Sequence, residues 1–543
     1  MTITANYVDI ENRSIYPAIV VVEDETIVSV SKTDKKVDNY ILPGFIDAHI
    51  HIESSMMIPS QFARLAVRHG TVATVSDPHE IANVLGIEGI DFMIENGNSV
   101  NFKFHFGASS CVPATPFETS GSTLDAKDIE TLLKTRELNH LGEVMAFPSV
   151  INGEKEMLAK IDAAKRLNIP VDGHAPSLSG EDLKKYIDAG ISTDHESSTL
   201  QEAKEKLNLG MKILIRQGSA AKNFEALIPL IEDYYEDIMF CSDDRHPNDL
   251  LKEHINIMVS QAVKKGYDLF KVLKAACINP IEHYSLDVGC LREGDKADFI
   301  VVEDLENFNI LSTVINGKTV FQNGKSDIET VEVNSLNNFK AEPISKDDIA
   351  FQSDCETIEV IQAIDHELLT KEFKYHNSKD GQFVSDIEDD ILKIIVVNRY
   401  EKNSKPSVGF INGFGLKHGA IASSVAHDSH NIVAVGCTDE EIVKAVNTII
   451  ASKGGVCCVN SDEVVSLALN IAGIMNSGDG FETAKRYEKL DSYSKEVLGS
   501  ILSAPFMTLS FMALLVIPEL KLSDKGLFDG REFHFIPPCI EVP

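Results

Sequence analysis

The chain is 543 residues long, with 43% hydrophobic and 24% charged residues and a formal net charge of −33. That length predicts roughly three domains, each able to bury a core. So acidic a surface repels phosphate backbones and anionic membranes, which excludes nucleic acid and membrane as expected partners and favours a small neutral or cationic substrate. Nine cysteines fall without a C-x-x-C pair, and Met1 to Asn6 carry neither a basic region nor an apolar core. Both features predict a cytoplasmic protein with mostly buried thiols.

Residues 1–40 hold short β-type runs, Ile19-Val20-Val21-Val22 and Ile27-Val28-Ser29-Val30, joined by the acidic turn Glu23-Asp24-Glu25. A similar composition returns over 286–330, where two apolar runs flank Asn316-Gly317, a strong hairpin signal. Residues 1–40 and 286–330 are therefore expected to form one small β-sandwich-like domain around a long insertion.

That insertion, 41–285, alternates short apolar strands with helical patterns near 59–68, 126–139, 155–167, 180–189 and 223–235. Repeated βα units predict an α/β fold with a parallel sheet, and about eight of them predict a closed (β/α)8 TIM-type barrel. An open doubly wound sheet is the alternative, but no Gly-rich phosphate loop supports it. Residues 326–350 read as a polar linker. Residues 335–543 predict an additional C-terminal α+β domain, with a strand over 391–397 and helices near 438–451 and 462–474. The apolar run from Phe506 to Pro518 is too short to span a bilayer and reads as a buried strand or helix.

The ionisable residues of the insertion sit at the C-terminal ends of its strands: His49 and His51, Asp77 and His79, Glu143, His174, His195, Asp243 and Asp244. In a barrel these ends converge on one face, where active sites are built. His49 and His51 are two apart and project to the same side of a strand. With His174, His195 and Asp243 they form a donor set suited to zinc, iron or manganese, and Glu143 is a candidate bridging carboxylate between two ions. Such a centre activates water at neutral pH. Asp77, His79 and Glu80 are expected either to shape the pocket or to cap the next helix. Asp244 competes with its neighbour Asp243 as the metal-bound acid/base. Arg216 and Gln217 are candidates for the mouth. His427, Asp428 and His430 either reach the barrel mouth, bind another ion or form a structural loop.

These residues carry a resemblance. Pro43-Gly44-Phe45-Ile46-Asp47-Ala48-His49-Ile50-His51, the later lone histidines and Ser242-Asp243 resemble the amidohydrolase superfamily. More narrowly, His51-Ile52-Glu53-Ser54-Ser55, Ser76-Asp77-Pro78-His79-Glu80, Thr193-Asp194-His195-Glu196 and Cys241-Ser242-Asp243-Asp244-Arg245-His246-Pro247 resemble the bacterial adenine deaminases. The likeness continues through Ala426-His427-Asp428-Ser429-His430-Asn431 and Pro505-Phe506-Met507-Thr508, and so covers nearly the whole chain.

The resemblance implies hydrolytic deamination of adenine to hypoxanthine and ammonia in purine salvage, with adenine and water as substrates. It implies that His49, His51 and Glu143 hold one ion and Glu143, His174 and His195 a second. Glu143 and Asp243 would then be the catalytic carboxylates, Asp243 touching the first ion and shuttling the proton. Asp77, His79, Glu80, Asp244, His427, Asp428 and His430 are the candidate substrate-binding residues. Two Mn(II) ions are the expected cofactors, with Fe(II) or Zn(II) as alternatives, and a homo-oligomer, a dimer first, is the expected assembly. The competing readings are another aminopurine deaminase or a cyclic-amide hydrolase on the same scaffold, or a non-catalytic scaffold. The last should have lost ligands, and none of the six is missing. The zinc deaminases that flip bases from nucleic acids use H-x-E and P-C-x-x-C, and no such cysteine pair occurs here.

Overall fold

In the computed structural model, which describes residues 1–351, 356–376 and 383–540, the insertion forms eight short parallel strands. We number them β1 (Phe45–Ile50), β2 (Thr71–Ser76), β3 (Lys103–Ala108), β4 (His140–Val144), β5 (Val171–Gly173), β6 (Thr193–Asp194), β7 (Lys212–Arg216) and β8 (Ile238–Cys241). The first five pair in sequence, as do the last three. A parallel bridge between Val171 and Ile191 joins the two groups, and one between Ile50 and Asp243 closes the circle. Nearly every strand residue is buried, as expected where helices cover one face and the barrel interior fills the other.

The covering helices follow their local signals. Asp125 caps the helix Ala126–Thr135 through the backbone N–H groups of Lys127 and Asp128, in a reciprocal capping box. The helix expected near 223–235 is broken into Phe224–Leu227, a 3₁₀ turn at Ile228–Leu230 and Ile231–Tyr234. Pro229 lacks the N–H that a continuous helix would need there.

An eight-stranded sheet is shared by the two flanking segments, with Tyr40–Pro43 central in it, pairing with both Thr2–Asp9 and Phe299–Val302. The sheet therefore extends three residues past the boundary expected at 40. Asn316 and Gly317 both take positive φ and close the hairpin between Ile310–Ile315 and Lys318–Gln322.

The C-terminal region is built on a nine-stranded sheet. The helix expected near 462–474 is not formed. Glu463–Ala468 is a strand, paired antiparallel with Gly455–Asn460 across a two-residue turn. Its β-branched Val464-Val465 pair and the left-handed Ser461 favour that hairpin over a helix. The helix Asp439–Ser452 buries Ile442, Val446 and Ile449 against one face of the sheet. Helices Gly480–Glu496 and Pro505–Phe511 lie towards the barrel, and Tyr487, Phe506 and Met507 share one continuous core with Met56, Met57 and Phe62. Arg64 donates to Asp479 at 2.8 Å and Tyr487 OH lies 2.6 Å from His246 Nδ1, tying the two regions together. The C-terminal region thereby roofs the open end of the barrel.

Candidate active site

β1 ends in His49 and His51, whose Nε2 atoms approach to 3.2 Å. His51 Nδ1 faces the carbonyl of Asp77 at 3.0 Å. An N–H on Nδ1 donated to that carbonyl leaves the Nε2 lone pair for a metal, the usual way a second partner fixes a ligating imidazole. From β4, Glu143 places Oε1 3.2 Å from His51 Nε2 and Oε2 2.8 Å from His174 Nδ1 and 3.1 Å from His195 Nε2. Its two oxygens thus face two different groups of histidines. Asp243 follows β8 in a left-handed conformation and brings Oδ1 3.2 Å from His51 Nε2.

The β1–β8 junction supports this geometry. Asp47 accepts from the backbone of Ser242 at 3.0 Å and from that of His49 at 3.3 Å, bonds the Ser242 hydroxyl, and lies 2.8 Å from His254 Nε2. Behind Asp243, the Arg216 guanidinium bonds its Oδ2 and both oxygens of Glu196. Burial alone would raise the Asp243 carboxyl, but the Arg216 charge and the His51 bond hold it well below the usual carboxylate range.

These side chains fit divalent cations. His49, His51 and Glu143 can offer one ligand atom each to a common point, as can Glu143, His174 and His195, and His49, His195 and Asp243. All six are buried, and among the described residues His49 Nδ1 and His174 Nε2 have no hydrogen-bond partner. Imidazole and carboxylate donors buried this closely together are the arrangement a cation stabilises.

The second set of residues expected from the sequence gathers beside the first. The helix His79–Leu85 starts with no side-chain cap, so Asp77, His79 and Glu80 do not serve as caps. Asp77 accepts from the backbone of Glu143 at 3.0 Å and from Ser109 Oγ at 2.8 Å. His79, Glu80, Asp244, His427 and Asp428 line one small cavity together with Glu143, His174, His195 and Asp243. His430 does not line it but bonds the Glu80 carboxylate from behind. Arg216 lies behind Asp243 and not at the mouth. Glu196, Met145, Leu368, Phe511 and Leu514 also face the cavity. No local sign marks Leu368, Phe511 and Leu514, which come from a region hundreds of residues away, whereas Met145 lies two residues past Glu143. Glu196 did carry one, since it follows His195 at the end of β6.

Two family models match the chain: the amidohydrolase family over residues 40–320 and the adenine deaminase C-terminal domain over 367–534. The chain belongs to the adenine deaminase family of amidohydrolases. It is 60% identical to an adenine deaminase of Sulfurovum sp. over 99% of this chain and 100% of that one. It is 52% identical to one from Borreliella burgdorferi over 98% and 99%. An adenine deaminase from Methanosarcina acetivorans is 50% identical over 97% and 98%. Among solved structures, a β-aspartyl dipeptidase from Fervidobacterium islandicum aligns over 61% of this chain and 97% of its own, with 17% identity and a TM-score of 0.45. Membership of the family accounts for a barrel and a C-terminal roof occurring in one chain. Among the described residues, no helix is long and apolar enough to cross a membrane.

Proposed function

We propose that this chain hydrolyses adenine to hypoxanthine and ammonia, with divalent cations held by His49, His51, Glu143, His174, His195 and Asp243. The observation that carries the reading is that His51, Glu143, His174, His195 and Asp243 line one cavity, with His49 buried beside them within ligand distance, in a chain that matches adenine deaminases end to end. The donor set contains no thiolate and suits Mn(II), Fe(II) or Zn(II). Mn(II) is the first choice on family resemblance.

Cations bound there would polarise a water molecule and make it nucleophilic at neutral pH. The protein's own groups handle the protons. Asp243 Oδ2 is committed to Arg216, which leaves Oδ1, on the cluster side, to take the proton from the attacking water. The same oxygen can return the proton to the departing amine, which must leave as ammonia because an amide anion is too basic to be expelled. Asp244 is the poorer candidate for this role. Its Oδ1 is held by Ser54 and faces His427 Nε2 across 3.8 Å, away from the cluster. Glu143 holds the two groups of histidines together, and Asp77 fixes Glu143 through its backbone N–H.

This reading divides the chain into a composite β unit from 1–43 and 286–330, a barrel over 44–285 and a C-terminal unit from 335, the first boundary set by Tyr40–Pro43 pairing within the composite sheet. It places the protein in the cytoplasm, in keeping with the buried free thiols Cys111, Cys241, Cys277, Cys437, Cys457 and Cys458. Among the described residues only Cys539 is disulfide-bonded. The deciding experiment measures ammonia release from adenine by the Mn(II)-loaded protein, with adenosine, guanine and cytosine as controls. Stoichiometric metal without adenine turnover would end the proposal.

A further inference from the structure

His427 is one of the C-terminal region's contributions to the cavity. It lies on the loop between the strands Ala420–Ser423 and Ile432–Gly436. Its backbone N–H donates to Ser510 Oγ at 3.1 Å, and its ring stacks on Phe511 with centroids 5.0 Å apart and planes 23° from parallel. Nδ1 bonds one oxygen of Glu80, whose other oxygen bonds His430 Nε2. These contacts fix the imidazole in place and direction, yet its buried Nε2 has no hydrogen-bond partner among the described residues.

Across 3.8 Å from that Nε2 stands Asp244 Oδ1, itself anchored by Ser54. The gap is too long for a direct hydrogen bond. A donor and an acceptor therefore stand side by side at the cavity wall with no mutual bond. Although burial disfavours the charge, the carboxylates of Glu80 and Asp244 raise His427 to about 9, so its Nε2 carries a proton at neutral pH. His79 stands between Glu80, which holds His427, and the histidine–carboxylate cluster: its Nδ1 is 3.6 Å from Glu143, and its Nε2 is 3.4 Å from Glu80.

Adenine with C6 at the cluster turns its opposite edge away from it. On that edge N3, para to C6, accepts a hydrogen bond, and the adjacent N9–H donates one. In a nucleoside N9 carries the sugar and the donor is gone. We infer that His427 and Asp244 read the N3/N9–H edge of the free base, His427 donating to N3 and Asp244 accepting from N9–H, and thereby exclude N9-substituted substrates. The inference rests on the adenine reading of the site and adds to it the residues that select a nucleobase over a nucleoside. Glu80 and His430 are positioning residues that hold His427.

The test compares adenine with 3-deazaadenine, which lacks the acceptor, and 9-methyladenine, which lacks the donor. Equilibrium binding and turnover are both measured on the metal-loaded protein, for the wild type, His427→Gln and Asp244→Ala. Metal content and thermal midpoint are recorded for each variant. A site built around such bonds should disfavour each analogue by at least ~100-fold in the wild type. His427→Gln should lose most of the preference over 3-deazaadenine, and Asp244→Ala most of the preference over 9-methyladenine, each falling to within ~10-fold. Wild-type discrimination below ~10-fold, or metal-replete folded variants that keep both preferences, would overturn the inference. If the wild type binds adenine with this selectivity but does not deaminate it, the edge reading stands and the deaminase reading falls. If it deaminates adenine without the selectivity, the reverse holds.

Discussion

Lys206 is a lysine with no exposed surface, and replacing it by methionine tests how the β6 end is held. Its ammonium donates to the Ala175 carbonyl at 2.7 Å, to Asp194 Oδ2 at 2.9 Å and to Glu202 Oε1 at 2.9 Å. Asp194, also buried, immediately precedes His195 and accepts from the backbone of Ala175 at 3.0 Å and of Ser197 at 2.9 Å. Burial pushes Asp194 up, but the Lys206 charge, then His195 and the hydrogen bonds, bring it down from 3.8 to about 2. A folded-state value below the unfolded one contributes stability above about pH 4, and that stability is lost as pH falls towards 2. The shift corresponds to about 2.5 kcal/mol. Lys206→Met removes this and strands a buried carboxylate, so a total loss of about 3–5 kcal/mol is expected at pH 7. Urea unfolding of the two proteins, both stripped of metal so that ligand protonation is common to them, should show a midpoint lower by about 1 M in the variant. The gap should narrow as pH falls and Asp194 protonates in the variant. A difference below about 1 kcal/mol at pH 7, or one that does not change with pH, would refute the reasoning.

Three further outcomes follow from the site. Asp243→Asn should keep the fold but lower adenine turnover at least ~100-fold, with kcat falling and KM little changed, as steady-state kinetics will show. Asp47→Ala strips partners from the Ser242 and His49 backbones and from His254; it should cost about 2–4 kcal/mol of stability and reduce metal content, read by thermal unfolding and elemental analysis. Gly142→Ala would drive a Cβ into the Asp77 carboxylate and displace it from the Glu143 N–H, so metal content and activity should fall together while the larger cluster core stays folded by circular dichroism.

The candidate ligands of the barrel were legible because they obey local rules. His49 and His51 share a strand face through the two-residue period, and His174, His195 and Asp243 mark strand ends that a parallel barrel must bring to one face. The Asn316-Gly317 hairpin was equally local. The strand at Glu463–Ala468 was missed because a short apolar segment can fit either period, and the hairpin pairing with Gly455–Asn460 settled it. Helix capping by Asp77, His79 or Glu80 was a reasonable local reading that tertiary demand overrode, since Asp77 and Glu80 accept from Glu143 and His427 instead.

By itself, then, the sequence determined the barrel, its candidate metal ligands and, through its resemblance to a family, adenine as the substrate. Only the tertiary structure decided that Arg216 stands behind Asp243 and that Asp244 turns to His427 and away from the cluster. It also decided that Leu368, Phe511 and Leu514 roof the cavity and that Glu80 meets His427 and His430 across 347 and 350 residues. The physical reason is separation. Periodicity and caps act over a few residues and leave a readable pattern, whereas a carboxylate and an imidazole that far apart meet only when two cores pack, and neither residue's neighbours announce it.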